Sequence, residues 1–181
     1  PTSSNQPALT ATDEIIMEEV AAGKIHRLSL LYDRYKSPLL GFLLNRTCQD
    51  RPTAEDLLQT TFERVIKYRK SWRPGSVFKT WVFTIARNAH RDHCRLEGRM
   101  PIDDGFEFNR LPLEEEASYP DCRRALAALP DTYRQVVELA WQRNMKYADI
   151  ATVLDTTEAN VKVRMHRACK QLRHNYHNNQ S

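Results

Sequence analysis

The chain has few glycines and almost no strand-like alternation of apolar and polar residues. Glycine accounts for only 5 of the 181 residues, which leaves few of the tight turns that an all-β fold requires. Along most of the chain, apolar residues instead recur three and four positions apart, the spacing of one face of an α-helix. The sequence therefore predicts an all-α fold.

Cysteine is also scarce, and its positions are scattered. The four cysteines are Cys48, Cys94, Cys122 and Cys169. They form no Cys-x-x-Cys pair, which argues against a structural zinc site and against a disulfide framework. His90, His93 and Cys94 could share one helix face, but no second group of ligands accompanies them. We therefore expect neither a metal nor a cofactor.

Long apolar segments are missing as well. No apolar run approaches the roughly 18 residues that cross a bilayer as a helix. The N-terminal segment PTSSNQPALT has neither the charged n-region nor the apolar h-region of a secretory signal peptide. We therefore expect a cytoplasmic protein without membrane insertion, and a disordered N-terminus over residues 1–10.

The charges are distributed unevenly along the chain. The formal net charge is +4 and the pI is about 9.0, a mild preference for polyanionic partners. Residues 64–100 carry ten Lys and Arg against two acids, whereas residues 101–121 carry seven acids against one Arg. With three prolines and no sustained periodicity, residues 99–120 are predicted to be an extended acidic linker. It would join two small helical domains, residues 11–98 and 121–177.

The first domain is predicted to hold three or four helices. The first helix begins after Thr12 and ends near Gly23, and the second covers about residues 25–48 with a kink at Pro38. The segment TAED matches a capping box, with Thr53 at the N-cap and the aspartate at N3 of a third helix. After a Pro-Gly turn, a serine at position 76 is expected to cap a fourth helix that ends near residue 98.

The second domain is predicted to end in a helix-turn-helix. The segment KYADIATVL-DTT-EANVKVRMHRACKQL has the form of a helix, a short turn and a second helix, for which Thr156 or Thr157 can supply the N-cap. The second helix carries an apolar stripe formed by Val161, Met165, Ala168 and Leu172. Cations occupy its opposite face, and such helices enter the DNA major groove with their N-terminal residues against base edges. We therefore expect it to bind DNA, with the outward Val163 suited to a thymine methyl group.

A second candidate for nucleic-acid binding is the segment SWRPGSVFKTWVFTIARNAHRDHCR. Aromatic and basic side chains interleave within it, which is typical of surfaces that hold unpaired bases and the backbone of a single strand. The alternative is that Phe78, Trp81 and Ile85 simply form the core, and we favour this for Phe78 and Ile85. Trp72, beside the Pro-Gly turn, fits a core less well.

Five segments together resemble the extracytoplasmic-function (ECF) group of bacterial sigma factors over nearly the whole chain. In order they are LYDRYKSPLLGFL, AEDLLQTTFERV, FKTWVFTIARNAHRDHCR, LAALPDTYRQVVEL and YADIATVLDTTEANVKVRMHRACKQLR. The resemblance implies a protein that is not an enzyme and that binds RNA polymerase core at the β′ clamp helices and the β flap. It implies recognition of the −10 and −35 promoter elements, melting of the −10 region and direction of transcription initiation. An anti-sigma factor is implied as a further partner.

The resemblance assigns residues to three surfaces, with the acidic linker in the path of RNA exit. The clamp helices would contact Glu55, Asp56, Gln59 and Glu63. The −10 DNA would contact Trp72, Arg73, Ser76, Lys79, Trp81, Asn88, Arg91 and Arg95. The −35 DNA would contact Asn160, Lys162, Val163, Arg164, Arg167 and Lys170. Asp155 stands where glycine is frequent in the family, and Asn160 and Val163 stand where Thr and Ser are frequent, which leaves the turn geometry and the −35 preference open.

Two other classes of protein compete with this interpretation. A two-domain helix-turn-helix regulator that does not bind polymerase core would explain the second domain, but neither the Trp-rich basic segment nor the AEDLLQTTFE helix. A nuclease or recombinase would need a nucleophile with its base, clustered metal carboxylates or a phosphate-binding glycine loop. The sequence shows none of these patterns, so we expect no catalytic residues.

Overall fold

The computed structural model describes residues 11–98 and 120–178, and every regular element within these ranges is a helix. The all-α prediction is therefore confirmed. The predicted disordered N-terminus lies outside the described residues, and so does the predicted linker except for its last residue.

The helices fall into two groups along the chain. The first group is α1 (Asp13–Ala21), α2 (Leu28–Leu44), α3 (Arg51–Tyr68) and α4 (Phe78–Leu96), with 3₁₀ turns at Ile25–Arg27 and Arg69–Ser71. The second group is α5 (Pro120–Ala127), α6 (Asp131–Val137), α7 (Tyr147–Leu154) and α8 (Glu158–Asn178). A π-helical turn, Glu138–Gln142, continues α6.

The first helix begins and ends where the sequence predicts. Thr12 Oγ1 accepts a hydrogen bond from the Ile15 amide at 3.4 Å, so Thr12 caps α1. Gly23 follows the helix with a φ of 109°, which only glycine adopts readily. The capping residue and the glycine therefore fix both ends of α1.

The second helix includes Pro38, as predicted, but ends at Leu44 rather than near residue 48. Cys48 and Gln49 have φ values of 53° and 65°. These left-handed conformations cannot continue a right-handed helix, so they separate α2 from α3.

The capping box predicted for α3 is wrong. The helix begins at Arg51, directly after Asp50, and carries Pro52 in its first turn. Thr53 lies inside the helix, where its Oγ1 donates a hydrogen bond to Asp50 Oδ2 at 2.6 Å. Proline suits the first turn because its φ is already helical and its missing N–H would have no partner there. The helix therefore starts earlier than the Thr–Asp pattern indicates.

The predicted cap of α4 by Ser76 is also wrong. The helix begins at Phe78, whose amide donates a hydrogen bond to Glu14 Oε1 at 3.2 Å. Glu14 belongs to α1, so a carboxylate distant in sequence satisfies an orphan amide where the helix dipole favours an anion. This contact ties α1 to the start of α4.

The core of the first domain lies between α1, α2, α3 and α4. Phe42 and Phe83 meet edge to face with ring centroids 5.0 Å apart, and Tyr35 and Phe78 meet in the same way at 5.1 Å. Fully buried aliphatic side chains around them include Ile16, Met17, Val20, Leu31, Leu39, Leu43, Val65 and Val82. The inner face of α4 is therefore held on an aromatic core, which leaves its other faces for contacts.

The core of the second domain lies between α6, α7 and α8. Its fully or almost fully buried side chains include Val136, Val137, Leu139, Ile150, Val153, Val161 and Ala168. Both helices of the helix-turn-helix are thus held in the core, because α8 packs against α6 and against α7. The two domains also meet, because α7 packs against α4.

Candidate nucleic-acid and polymerase surfaces

The turn of the helix-turn-helix depends on one left-handed residue. Asp155 ends α7 with φ 53° and ψ 51°. Aspartate enters this region more readily than most L-residues because its short side chain can hydrogen-bond locally, and glycine enters it without strain. Thr157 then caps α8, since its Oγ1 accepts a hydrogen bond from the Asn160 amide at 3.2 Å. The predicted threonine cap is confirmed.

One face of α8 is buried and the other is exposed. In the predicted stripe, Val161, Met165 and Ala168 are buried and Leu172 is half-buried. Of the predicted −35 residues, those that are exposed are Asn160, Lys162, Val163, Arg167 and Lys170, and Arg164 is half-buried. Val163 is 47% exposed and so provides apolar surface on an otherwise cationic face.

The two polar side chains at the start of α8 have local partners. Asn160 Nδ2 donates a hydrogen bond to Thr156 Oγ1 at 3.3 Å. Lys162 Nζ lies 2.9 Å from Glu158 Oε1, and this hydrogen bond raises the pKa of Lys162. Both contacts lie along the helix surface, so each of these side chains has a local partner on its own helix or the turn before it.

The predicted −10 residues do not form one exposed surface. Arg73, Asn88 and Arg95 are exposed, Ser76, Lys79, Trp81 and Arg91 are half-buried, and Trp72 is buried. Lys79 Nζ donates a hydrogen bond to the carbonyl oxygen of Arg143 at 2.9 Å. Arg91 Nη1 lies 3.7 Å from Asp155 Oδ2. Both of these partners belong to the second domain.

Trp72 is a core residue, so the expectation that it fits a core less well is wrong. It is 7% exposed, and its ring centroid lies 5.3 Å from that of Trp81 and 6.1 Å from that of Phe78. The turn after it contains Gly75 with a φ of 83° and leads directly into α4. Within the described part of the chain, the indole N–H of Trp72 has no hydrogen-bond partner.

The four residues predicted to contact polymerase share the outer side of α3. Glu55, Asp56, Gln59 and Glu63 are all exposed. Gln59 Nε2 donates a hydrogen bond to Glu63 Oε1 at 2.9 Å, and Arg51 Nε pairs with Glu55 Oε1 at 2.8 Å. The inner side of the same helix is buried and includes Ala54, Leu57, Leu58 and Phe62. We call these four outward residues the α3 acidic face.

The two domains match two families of sigma-factor modules. Residues 31–100 match Sigma-70 region 2, and residues 122–172 match Sigma-70 region 4. Over 151 residues the chain is 31% identical to the ECF RNA polymerase sigma factor SigM of Bacillus subtilis (strain 168). The aligned segment covers 79% of this chain and 91% of SigM. The chain belongs to the ECF group of RNA polymerase sigma factors.

Other relatives of this sigma factor support the same conclusion. It is 31% identical over 163 residues to the RNA polymerase sigma factor CarQ of Myxococcus xanthus, covering 87% of this chain and 93% of CarQ. The solved structure of the sigma factor RpoE with the anti-sigma factor NepR from Bartonella quintana has the same fold. It matches with a TM-score of 0.63 at 24% identity, covering 82% of this chain and 95% of that one. Family membership decides against a regulator that works without polymerase core, and sigma factors are in general non-enzymatic initiation factors.

Sequence reasoning missed three charged residues of this sigma factor. Arg46 is 3% exposed, with its guanidinium 3.6 Å from the centroid of the Phe42 ring. Glu138 is 4% exposed, and its Oε1 lies 3.7 Å from Nη2 of Arg143. Burial raises the pKa of Glu138, and the charges of Arg46 and Arg143 oppose that shift. For Glu138, the sign of burial in the sequence is that it is a single acid inside the mostly apolar segment QVVELAW.

The histidine and cysteine side chains of α4 have partners of their own. His90 Nε2 lies 3.3 Å from Cys94 Sγ, and His93 Nε2 lies 3.5 Å from Glu97 Oε2. Among the described residues, no group of three or more His, Cys, Asp or Glu side chains could hold a metal ion. The same part of the chain has no helix that is both long and apolar enough to cross a membrane.

Proposed function

We propose that the α3 acidic face is the surface through which this sigma factor binds the β′ clamp helices of RNA polymerase core. The single observation that carries this proposal is its composition: three acids and an amide, all exposed, in a domain whose next segment is strongly basic. The buried inner side of α3 fixes the helix, so these side chains are presented on a rigid element. The second domain, residues 121–177, would contact the β flap.

The test of this surface is a double substitution. Asp56→Arg with Gln59→Ala reverses the charge at the centre of the α3 acidic face without touching a buried side chain. We expect holoenzyme assembly to fall below detection in a pull-down with polymerase core, while circular dichroism shows unchanged helicity. Glu18→Arg on α1 is the matched control, because it makes the same charge reversal at another exposed acid. Normal assembly by the double variant would remove this assignment.

The −10 surface is proposed to consist of α4 and the loop before it. Arg73, Asn88 and Arg95 supply exposed polar and cationic groups, and Lys79 and Arg91 lie on the same helix. Trp81 is half-buried and offers part of an aromatic face to an unpaired base. Melted −10 DNA would then contact the cations through phosphates and the aromatic and amide groups through bases.

The −35 surface is proposed to be the outward face of α8. Asn160 and Val163 lie in its first two turns, which lie deepest in the groove when a helix-turn-helix docks on DNA. Arg167 and Lys170 are exposed further along, where the helix leaves the groove and meets phosphates. We therefore assign base readout to the N-terminal residues and backbone contacts to the later cations.

Three further properties are part of the proposal. The sigma factor would act in the cytoplasm together with RNA polymerase, and it would catalyse no reaction itself. It would also be held by an anti-sigma factor, as the relative RpoE is held by NepR in its solved structure. Co-purification of the untagged native protein from its source, followed by mass spectrometry of bound chains, tests this last point. Recovery with polymerase subunits alone in uninduced cells would argue against an anti-sigma partner.

A further inference from the structure

The turn between α7 and α8 contacts Asn160 at two places. Thr157 Oγ1 accepts a hydrogen bond from the Asn160 backbone amide at 3.2 Å, which caps α8. Thr156 Oγ1 accepts a second hydrogen bond from the Asn160 side chain, whose Nδ2 lies 3.3 Å away. The backbone and the side-chain amide of one residue are therefore both tied to the turn that precedes it.

Thr156 is itself held by the end of α7. The left-handed Asp155 ends that helix, and the Thr156 amide donates a hydrogen bond to the carbonyl oxygen of Ala151 at 2.9 Å. This is the bond that closes a Schellman motif at a helix C-terminus. Ala151 is buried and Thr156 is half-buried, so the Thr156 hydroxyl is presented from a fixed backbone.

The bond to Thr156 fixes an angle that rotamer preferences leave open. The terminal torsion of asparagine joins a tetrahedral carbon to a planar amide, so its energy profile is broad and roughly two-fold. An exposed asparagine can therefore exchange the places of its oxygen and its nitrogen at little cost. Asn160 is exposed, and the bond to Thr156 selects the orientation that has Nδ2 toward the turn.

An asparagine amide in this orientation matches adenine. Thr156 uses one N–H of Asn160, so the second N–H is left as a donor and Oδ1 as an acceptor. In the major groove adenine presents the acceptor N7 beside the donor N6–H₂, and asparagine pairs with both at once. Guanine presents two acceptors there, N7 and O6, and would place O6 against Oδ1. The held amide therefore favours adenine over guanine.

We propose that Thr156 is a positioning residue that holds the side chain of Asn160 for an adenine in the −35 element. This inference rests on the proposed function, in which Asn160 lies in the turns of α8 that are deepest in the groove. Thr156 acts through Asn160 and needs no contact of its own with DNA. A side chain already held in its binding orientation also loses less conformational entropy on docking.

Three variants of the turn separate positioning from folding. Thr156→Val removes the hydroxyl and keeps the shape of the side chain, so the preference for adenine over guanine should fall several-fold as the amide turns over. Thr156→Ser puts a hydroxyl back and should restore the preference. Thr157→Val is the matched control, because it removes the neighbouring hydroxyl that caps the backbone of α8. It should lower the melting temperature without changing the preference.

The measurement is transcription by the full-length protein with polymerase core from a template library randomised at −35, with the transcripts sequenced. Asn160→Ala identifies the base pair that Asn160 reads, because the preference at that pair is lost. The ratio of adenine to guanine there, on the strand that carries the preferred base, is then compared among the Thr156 and Thr157 variants. Thr156→Val combined with Asn160→Ala should match Asn160→Ala alone, because the two residues act as one unit.

Four results would contradict this inference. Loss of the adenine preference in Asn160→Ala but not in Thr156→Val would overturn the positioning role and leave the proposed −35 surface intact. An unchanged selected motif in Asn160→Ala would contradict base readout by Asn160, and with it this inference. A preferred guanine would overturn the adenine assignment. Equal losses in Thr156→Val and Thr157→Val would mean that the turn only supports the fold of α8.

Discussion

At the scale of single residues, Trp72 connects the start of α4 to the core of the first domain. It is buried against Phe78 and Trp81. We expect Trp72→Ala to lower the free energy of unfolding by about 3–5 kcal/mol, because it removes a large buried side chain and leaves a cavity. Trp72→Phe should cost much less, since it keeps an aromatic ring and deletes an N–H that has no partner in the described part of the chain. Chemical denaturation of both variants measures the difference.

A direct role for Trp72 in holding an unpaired base has a different signature. Trp72→Ala would then leave unfolding unchanged and weaken open-complex formation on duplex promoters. The loss would be smaller on a template already mismatched at the −10 element, because stacking contributes only once the base is out. That pair of results would contradict a structural role for Trp72.

Glu138 gives a prediction for pH. Burial raises its native pKa above the ordinary value of 4.5, so the native protein holds this proton to higher pH than the unfolded chain does. The free energy of unfolding, relative to that of the Glu138→Gln variant, should be constant below pH 4.5. It should fall as the pH rises from 4.5 to the native pKa of Glu138. The slope within that window is at most about 1.4 kcal/mol per pH unit. Urea unfolding of both proteins across the window measures it, and a difference that does not change with pH would mean that Glu138 ionises normally.

At the scale of elements, the two halves of α8 should respond differently to substitution. Asn160→Ala should relax base preference at one −35 position by about 1–3 kcal/mol, because it would remove the base contact proposed near the helix N-terminus. Lys170→Ala should weaken binding to all −35 sequences alike and lower the salt slope by roughly one ion, because it would remove the proposed phosphate contact. Promoter selection from a library randomised at −35, with each variant as the sigma factor, separates the two outcomes. A changed motif for Lys170→Ala and not for Asn160→Ala would reverse the orientation assigned to α8.

Elements defined by local pattern were predictable, and elements completed by distant residues were not. The buried stripe of α8 and its Thr157 cap follow from residues within a few turns of each other. The start of α4 does not, because the carboxylate at its N-terminus comes from Glu14 on another helix. The start of α3 differs from the prediction for a local reason, because Pro52 favours the first helical turn and the Thr–Asp pattern lies inside the helix.

At the scale of the whole molecule, the sequence predicted two helical domains and their separate surfaces but not the contact between them. Lys79 and Arg91 looked like DNA-binding cations, and their partners in the second domain lie more than 60 residues away. Arg46 and Glu138 look like ordinary charged residues in the sequence, but both are buried, and they lie near each other although they belong to different domains. Contacts of this kind depend on how the folded domains fit together. The hydrophobic periodicity within each domain does not predict that fit.

The most direct test of the central claim is transcription by purified bacterial RNA polymerase core with and without the full-length protein. The template is a DNA library randomised across the −35 and −10 elements, and the transcripts are sequenced. We expect the protein to restrict initiation to templates that share two short sequence blocks at a fixed spacing, and Asp56→Arg with Gln59→Ala to return initiation to the level of core alone. Initiation that the wild-type protein neither increases nor restricts would contradict its role as a sigma factor.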